Sequence, residues 1–178
     1  MPRRLLVALA ATTAALTFAI ASVTAAAPEM FVTPLSGAEE SPVRDTLARG
    51  AAVFQVSADG SEIRYRLIAS NIDNVVQAHI HYPAPEGSNA GIVAWLFPEN
   101  GPPALTGPTG SQDGVLATGT LTASDLTGVL AGQPLSALID ALRSGNAYVN
   151  VHTNDGVAPT NTGPGDFPGG EIRGQIAG

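Results

Sequence analysis

The sequence predicts an all-β domain, an antiparallel β-sandwich or barrel into which one short helix is inserted. Its 20 glycines and 14 prolines are spread along the chain as turn signals between short runs of alternating apolar and polar residues. About seven such runs, separated by turns, are typical of antiparallel sandwiches and barrels. A parallel α/β fold would need helices between most strands, and only one segment has clear helical periodicity.

The first half of the chain predicts four strands after an opening segment at Phe31 and Val32. The sequence Ser-Ala-Asp-Gly at residues 57–60 is typical of a hairpin turn, so the strands on either side of it should pair. The run after this turn alternates apolar residues with arginines, as a half-buried strand does. The four strands are expected at residues 51–57, 62–69, 75–82 and 92–97.

The second half predicts the helix and three more strands. Residues 98–114 are rich in glycine and proline and predict a long loop. Leucine and isoleucine recur with helical spacing between Pro134 and Arg143, and Gly145 suits the C-terminal end of that helix. A second glycine- and proline-rich loop is expected at residues 154–170. The remaining strands are expected at residues 115–121, 147–153 and 172–177.

The N-terminal segment predicts a secretory signal peptide. Arg3 and Arg4 precede an apolar run that ends in small residues before Pro28. A membrane anchor is the alternative, because a run of about 18 residues is near the lower limit for a spanning helix. Its alanine-rich, cleavage-like end favours a signal at residues 1–27 and a folded domain at residues 28–178. We therefore expect export to the periplasm, the cell surface or the medium, without stable membrane insertion after cleavage.

Charge and cysteine content narrow the classes of partner. Without Arg3 and Arg4 the chain keeps six basic residues against 15 acidic ones, a net charge of −9. This acidity argues against nucleic acid and anionic membrane surfaces as partners. The chain contains no cysteine, so packing rather than disulfides must stabilise the exported domain. Cysteine nucleophiles, nucleophile-elbow motifs and phosphate-binding loops are also missing from the sequence.

All three histidines fall on polar faces of predicted strands. Because strand side chains alternate, His79 and His81 point to the same side, with Cα atoms about 6.5–7 Å apart. Two imidazoles at that spacing can share a metal ion, and His152 is the one histidine left to join them. Imidazole suits copper and zinc, with nickel and iron also compatible. The opposite faces are predicted as core: Val76, Ala78, Ile80, Tyr82, Ala147, Val149, Val151, Ile172 and Ile176.

A carboxylate would complete such a metal site. Glu171 is the first candidate, and Asp155 and Asp166 are alternatives. The alternative to a metal site is a solvated strand face that carries histidines by chance. On that view Glu171 and Arg173, which share a strand face, form a surface ion pair.

Three segments in order resemble the CHRD (chordin-type) domain family. They are LSGAEESP at residues 35–42, AHIH at residues 78–81, and GNAYVNVHT at residues 145–153 followed by GGEIRGQI at residues 169–176. The resemblance covers essentially the whole chain after Phe31. It implies an antiparallel Greek-key β-sandwich, similar to immunoglobulin or superoxide dismutase domains. The family occurs in exported bacterial proteins and in chordin, an extracellular binder of growth factors.

This resemblance implies a binding or structural module rather than an established enzyme. The sequence departs from the family at residues 82–85, where a proline-rich stretch replaces an early glycine, and at residues 154–168, where the loop is longer. The His-x-His motif also resembles the copper-ligand strand of copper/zinc superoxide dismutases. Dismutase activity is not expected, because the further histidines and the cysteines of those enzymes are missing.

Three functions follow as hypotheses. The favoured one is an exported module that coordinates copper or zinc through His79, His81, His152 and Glu171. The second is a metal-free interaction or structural module for a protein or polymer partner. The third is a mononuclear metalloenzyme with an open metal position in a pocket walled by residues 82–89 and 154–168.

Overall fold

The computed structural model describes residues 28–99 and 109–177. The predicted signal peptide and residues 100–108 of the predicted loop lie outside the described residues. These described residues form eight strands, one α-helix and three short 3-10 turns at Gly37–Glu39, Ala123–Asp125 and Gly128–Leu130. The main elements are β1 (Met30–Ser36), β2 (Arg49–Val56), β3 (Ile63–Asp73), β4 (Val75–His81), β5 (Ile92–Phe97), β6 (Ser111–Leu121), α1 (Leu135–Arg143), β7 (Ala147–Thr153) and β8 (Ile172–Ile176).

The eight strands form one antiparallel sheet in the order β5-β4-β7-β8-β1-β2-β3-β6. Its two halves, β5-β4-β7-β8 and β1-β2-β3-β6, join at β8 and β1 through the pair Ser36 and Arg173. The edge strands β5 and β6 contact each other, so the sheet nearly closes into a barrel. The chain crosses between the halves after β3, β5 and β6, as in Greek-key folds. The predicted all-β antiparallel fold with one short helix is confirmed.

Alternating apolar side chains of both halves fill the interior. Phe54 and Leu67 come from one half and Ile80 and Val149 from the other, and all four are fully buried. The Tyr65 hydroxyl on β3 donates a hydrogen bond of 2.8 Å to the Leu96 carbonyl on β5, which ties the two halves together. The predicted helix packs its apolar face against this core. That face consists of Leu135, Leu138, Ile139 and Leu142.

The predicted hairpin turn at residues 57–60 is present. Gly60 has a φ of 71°, a left-handed conformation that glycine adopts easily. The Asp59 carboxylate accepts hydrogen bonds from the hydroxyls of Ser57 and Ser61, which closes the turn. β2 and β3 pair on either side of it, from Arg49 opposite Ser70 to Val56 opposite Ile63.

Two expectations were wrong. Ser111 begins β6 and pairs with Asp73, so residues 111–114 belong to a strand rather than to the predicted loop. The strict alternation in β4 also fails at its start, because a bulge there pairs Val75 with Thr153 and Gln77 with His152. Val75, expected on the outer face, therefore belongs to the core cluster, and Val76 is also buried. Within residues 28–99 and 109–177, the single α-helix is too short to cross a bilayer.

Candidate metal centre

The three histidines lie together on the outer face of the neighbouring strands β4 and β7. The antiparallel register places His79 opposite Asn150, His81 opposite Tyr148, and His152 opposite Gln77. Because alternate side chains share a face, His79, His81, Asn150 and His152 all point away from the core. The sequence-predicted histidines are thus brought together, from strands about 70 residues apart in the chain.

This face is covered, and the histidines are buried. His79 is 1% exposed, His81 7% and His152 6%. The β4–β5 loop (residues 82–91) and the β7–β8 loop (residues 154–171) fold over them and contact their rings through backbone carbonyls. The alternative of a solvated strand face is therefore wrong. Alternation along a strand does not reveal a loop that returns to cover that face.

The imidazoles converge on one another. The Nδ1 atom of His79 lies 2.9 Å from Nε2 of His81. The ring centroids of His79 and His152 are 4.5 Å apart. One ligand nitrogen from each of the three rings lies within 4.8 Å of those of the other two. Three histidines at this separation can hold one metal ion.

Backbone carbonyls fix the protonation of two of these rings. The Nδ1 atom of His81 lies 2.7 Å from the Ala90 carbonyl, and that of His152 lies 2.8 Å from the Pro168 carbonyl. A carbonyl oxygen only accepts hydrogen bonds, so both Nδ1 atoms carry the proton. In the neutral rings each Nε2 atom then presents a lone pair to the shared centre. Metal-binding histidines commonly show this arrangement, in which one ring nitrogen donates a hydrogen bond to a carbonyl and the other coordinates the metal.

Asn150 is a site residue that the histidine pattern alone did not single out. Its Oδ1 atom lies 3.0 Å from Nε2 of His81 and 2.9 Å from Nε2 of His152. An acceptor oxygen that faces two lone pairs makes no hydrogen bond. A cation between these atoms satisfies them, and so does an amide rotated so that its NH2 group donates to both rings. Its place on the same strand face as His152, two residues away, was the available sequence signal.

Burial keeps the three histidines neutral. Desolvation lowers the pKa of His79 to about 2, and the neighbouring His152 and His81 lower it further. Desolvation likewise lowers the pKa of His152 to about 4 and also lowers the pKa of His81. Because a metal competes with a proton for the same lone pair, neutral imidazoles are ready ligands at neutral pH.

Glu40 lies on the far side of Asn150 from the histidines. Burial raises the pKa of its carboxyl group to about 7, although Arg173, Asn150 and Arg44 favour the charged form. Its Oε1 atom is buried and has no hydrogen-bond partner among the described residues. Glu40 therefore reaches the histidines through the Asn150 amide rather than directly.

Glu171, the expected carboxylate ligand, has other partners. Its Oε1 atom accepts a hydrogen bond of 2.6 Å from the Thr46 hydroxyl. Its Oε2 atom accepts bonds from the Thr153 hydroxyl and the Gly165 amide. It lies outside the group of three histidines, and its role as a fourth ligand stays a prediction.

The expected surface ion pair between Glu171 and Arg173 is wrong, because both residues are buried and their hydrogen bonds go elsewhere. The Arg173 guanidinium instead lies 3.4 Å from the centre of the Tyr148 ring, and that ring stacks on His81 at 4.5 Å. Trp95 meets His79 edge-on at 4.8 Å. Tyr148 and Trp95 thus pack against the histidine rings.

The loop aspartates do not join the site. Asp166 accepts hydrogen bonds from the backbone and hydroxyl of Thr162, and Asp155 accepts one from the Val157 amide. Neither belongs to the group of ligands around His79. Both carboxylates act within the β7–β8 loop, where they stabilise its turns.

Comparison with known proteins identifies the family. The family model described as CHRD domain matches residues 31–176. No curated protein and no solved structure matches the chain. The family match spans the chain from β1 to the last residue of β8 and includes both histidine strands. The chain therefore belongs to the CHRD domain family.

Proposed function

We propose that this CHRD domain is an exported module that binds one copper or zinc ion through His79, His81 and His152. The observation that carries the proposal is the convergence of three buried imidazoles, two of them oriented by backbone carbonyls so that their free nitrogens face the same centre. In a metal-free cluster the Nδ1–H group of His79 donates a hydrogen bond to the Nε2 lone pair of His81, whereas a bound ion would take both nitrogens as ligands.

The distances support a shared ion. A metal–nitrogen distance of about 2.0–2.1 Å places two nitrogen ligands on one tetrahedral ion about 3.3–3.4 Å apart. The 2.9 Å between Nδ1 of His79 and Nε2 of His81 is slightly shorter than that spacing, and one nitrogen of each of the three rings lies within 4.8 Å of the others. Rotations of the imidazole rings about their side-chain torsions would bring the three nitrogens to one ion.

The N-terminal sequence supports export, which would give the site its setting. We propose that residues 1–27 are removed as a signal peptide and that residues 28–178 are the mature protein. The strands and the helix that the structure describes lie within this mature chain. In an exported protein of this kind the ion would serve buffering, delivery or structural stabilisation, and no catalytic step is proposed.

One observation favours a second candidate, a metal-free binding module. The Asn150 amide, when rotated, donates to both His81 and His152 and satisfies the same atoms without an ion. In that case the cluster stiffens the sheet, and the partner of the module is a protein or polymer held elsewhere on its surface.

Metal counting distinguishes the two candidates. Untagged residues 28–178 would be loaded with copper or zinc, dialysed, and measured by mass spectrometry, together with the His79→Gln and His152→Gln variants. We expect about one ion per wild-type chain and almost none in either variant. Wild-type protein that retains no ion would support the metal-free module instead.

A Glu171→Gln variant tests the fourth ligand in the same experiment. Because Glu171 is held by Thr46, Thr153 and Gly165, a chain whose metal depends on the histidines alone keeps its ion after this substitution. Loss of the ion in Glu171→Gln, with the fold intact by circular dichroism, would make Glu171 a ligand.

A further inference from the structure

We propose that the three-histidine centre selects copper(I) over divalent ions. The inference rests on the proposed metal binding and names the ion. It follows from three properties of the centre: the charge of its donors, the sign of the buried charge stacked on it through Tyr148, and the number of ligands.

The donors at the centre are all neutral. His79, His81 and His152 offer imidazole nitrogens, and Asn150 offers an amide oxygen within 3.0 Å of two of them. Glu171, the carboxylate that directly precedes β8, already accepts hydrogen bonds from Thr46, Thr153 and Gly165. No anionic ligand among the described residues therefore belongs to the group that would offset the charge of a bound ion.

The fixed charge that stacks on the site is positive. The Arg173 guanidinium lies 3.4 Å from the centre of the Tyr148 ring, whose other neighbour is the His81 ring at 4.5 Å. Arg173 is 1% exposed, so water screens its charge poorly. Its repulsion of a bound cation grows in proportion to the charge of that cation.

Burial adds a second cost that depends on charge. The three histidines are at most 7% exposed, so an ion bound there loses most of its hydration. The Born free energy of taking an ion out of water grows with the square of its charge. It is therefore about four times larger for a divalent ion than for a monovalent ion of the same size. The ligand group contains no anionic side chain to offset this difference, and the carboxyl group of Glu40 lies behind the Asn150 amide.

The number of ligands points in the same direction. Structural zinc sites are almost always tetrahedral and use four ligands, often anionic ones. Copper(I) has a filled d shell and accepts three-coordinate geometry. Three imidazoles in a dry environment therefore satisfy copper(I) without a fourth ligand, whereas zinc would need a water or a carboxylate drawn into the site.

Competition titrations test the selectivity. The mature chain would be titrated without oxygen with copper(I) against a chromophoric copper(I) chelator, and separately with zinc against a chromophoric zinc chelator. We expect copper(I) to bind at least about 100-fold more tightly than zinc. Equal affinities would overturn the selectivity and leave metal binding intact. Failure to bind either ion would overturn the proposed function itself.

A charge-swap variant tests the electrostatic cause. Glu40→Gln combined with Asn150→Asp moves one carboxyl group from behind the amide to the histidine side, with Glu40→Gln alone as the matched control. We expect zinc affinity to rise about tenfold or more relative to the control, and copper(I) affinity to change less than about threefold. A zinc affinity that does not rise relative to copper(I) would contradict the electrostatic cause. If the double variant does not fold, the wild-type affinity ratio still decides the proposal.

Discussion

The Nδ1 atom of His79 lies 2.9 Å from Nε2 of His81, although both residues are on the same strand. Side chains at i and i+2 on a regular strand stand about 6.5–7 Å apart at their Cα atoms, so the two rings lean toward each other. Trp95 on one side and Tyr148 on the other hold them in this position. The contact turns two neighbouring polar residues into one half of a metal centre.

Metal should stabilise the fold through this contact. At a free metal concentration about 100 times the dissociation constant, binding adds about 2.7 kcal/mol to the free energy of unfolding. For a domain of this size we expect the melting temperature to rise by several degrees, as differential scanning calorimetry would show. His152→Gln should abolish the rise, because it removes one ligand while leaving the other two histidines in place. An equal rise in the variant would exclude His152 from the centre.

The pH dependence of stability should show two opposing contributions. The folded-state pKa of His79 and of His152 lies below the value of 6.5 for an ordinary histidine, so the unfolded chain binds more protons. Their contribution to stability is present above pH 6.5 and is lost as the pH falls, down to about 4 for His152 and to about 2 for His79. The folded-state pKa of Glu40 is about 7, above its ordinary 4.5, so its contribution is present below pH 4.5 and is lost as the pH rises through 7.

A Glu40→Gln variant separates these two contributions. Glutamine does not titrate, so the metal-free variant should lose about 2 kcal/mol more stability than wild type between pH 7 and pH 5. Urea unfolding at a series of pH values measures the difference. Parallel curves for the two proteins would mean that Glu40 titrates alike in the folded and unfolded states.

The strands and their faces were predictable because they depend on local alternation. Residues 92–97 and 147–153 match β5 and β7 at both ends, and the helix begins one residue after the predicted Pro134. The bulge at the start of β4 was not predictable, because it depends on how that strand pairs with β7. The faces of His79, His81 and His152 were therefore correct, whereas the placement of Val75 on the outer face was not, because Val75 belongs to the core cluster.

The burial of the site could not be derived from the sequence pattern. It depends on loops that return over the sheet, and these loops are held by long-range contacts. Arg173 on β8 donates to the Ser88 carbonyl, and Thr46 donates to Glu171 across 125 residues of chain. Such contacts leave no periodic signal, so the same polar residues were compatible with an open face and a surface ion pair.

The hydrogen bond between the two halves of the sheet should contribute measurably to stability. Tyr65→Phe removes the hydroxyl that donates to the buried Leu96 carbonyl and leaves that acceptor unpaired. We expect a loss of about 1–3 kcal/mol in the free energy of unfolding. Tyr82→Phe, at a half-buried tyrosine, is the matched control and should change it by less than about 0.5 kcal/mol. If the two variants lost equal stability in urea unfolding, the Tyr65 hydroxyl would have no special role in stabilising the sheet.

The junction between β8 and β1 should tolerate no side chain at Gly174. A Cβ atom at this position would collide with the Pro34 carbonyl oxygen and with the side chains of Leu35 and Thr33. We expect Gly174→Ala to cost at least about 2 kcal/mol or to prevent folding. Gly91→Ala is the control, since a Cβ there meets no atom within 4 Å. A Gly174→Ala protein as stable as Gly91→Ala would show that the two halves of the sheet are not packed this closely.

The most direct test of the central claim is an X-ray absorption spectrum of copper(I)-loaded protein at the copper edge. The spectrum counts the ligands and identifies them, since imidazole rings give characteristic outer-shell scattering. We expect three nitrogen ligands at about 2.0 Å, all from imidazoles, and the loss of one imidazole in His79→Gln if that variant retains copper. A first shell with one imidazole or none would place the copper elsewhere on the chain and contradict the three-histidine centre.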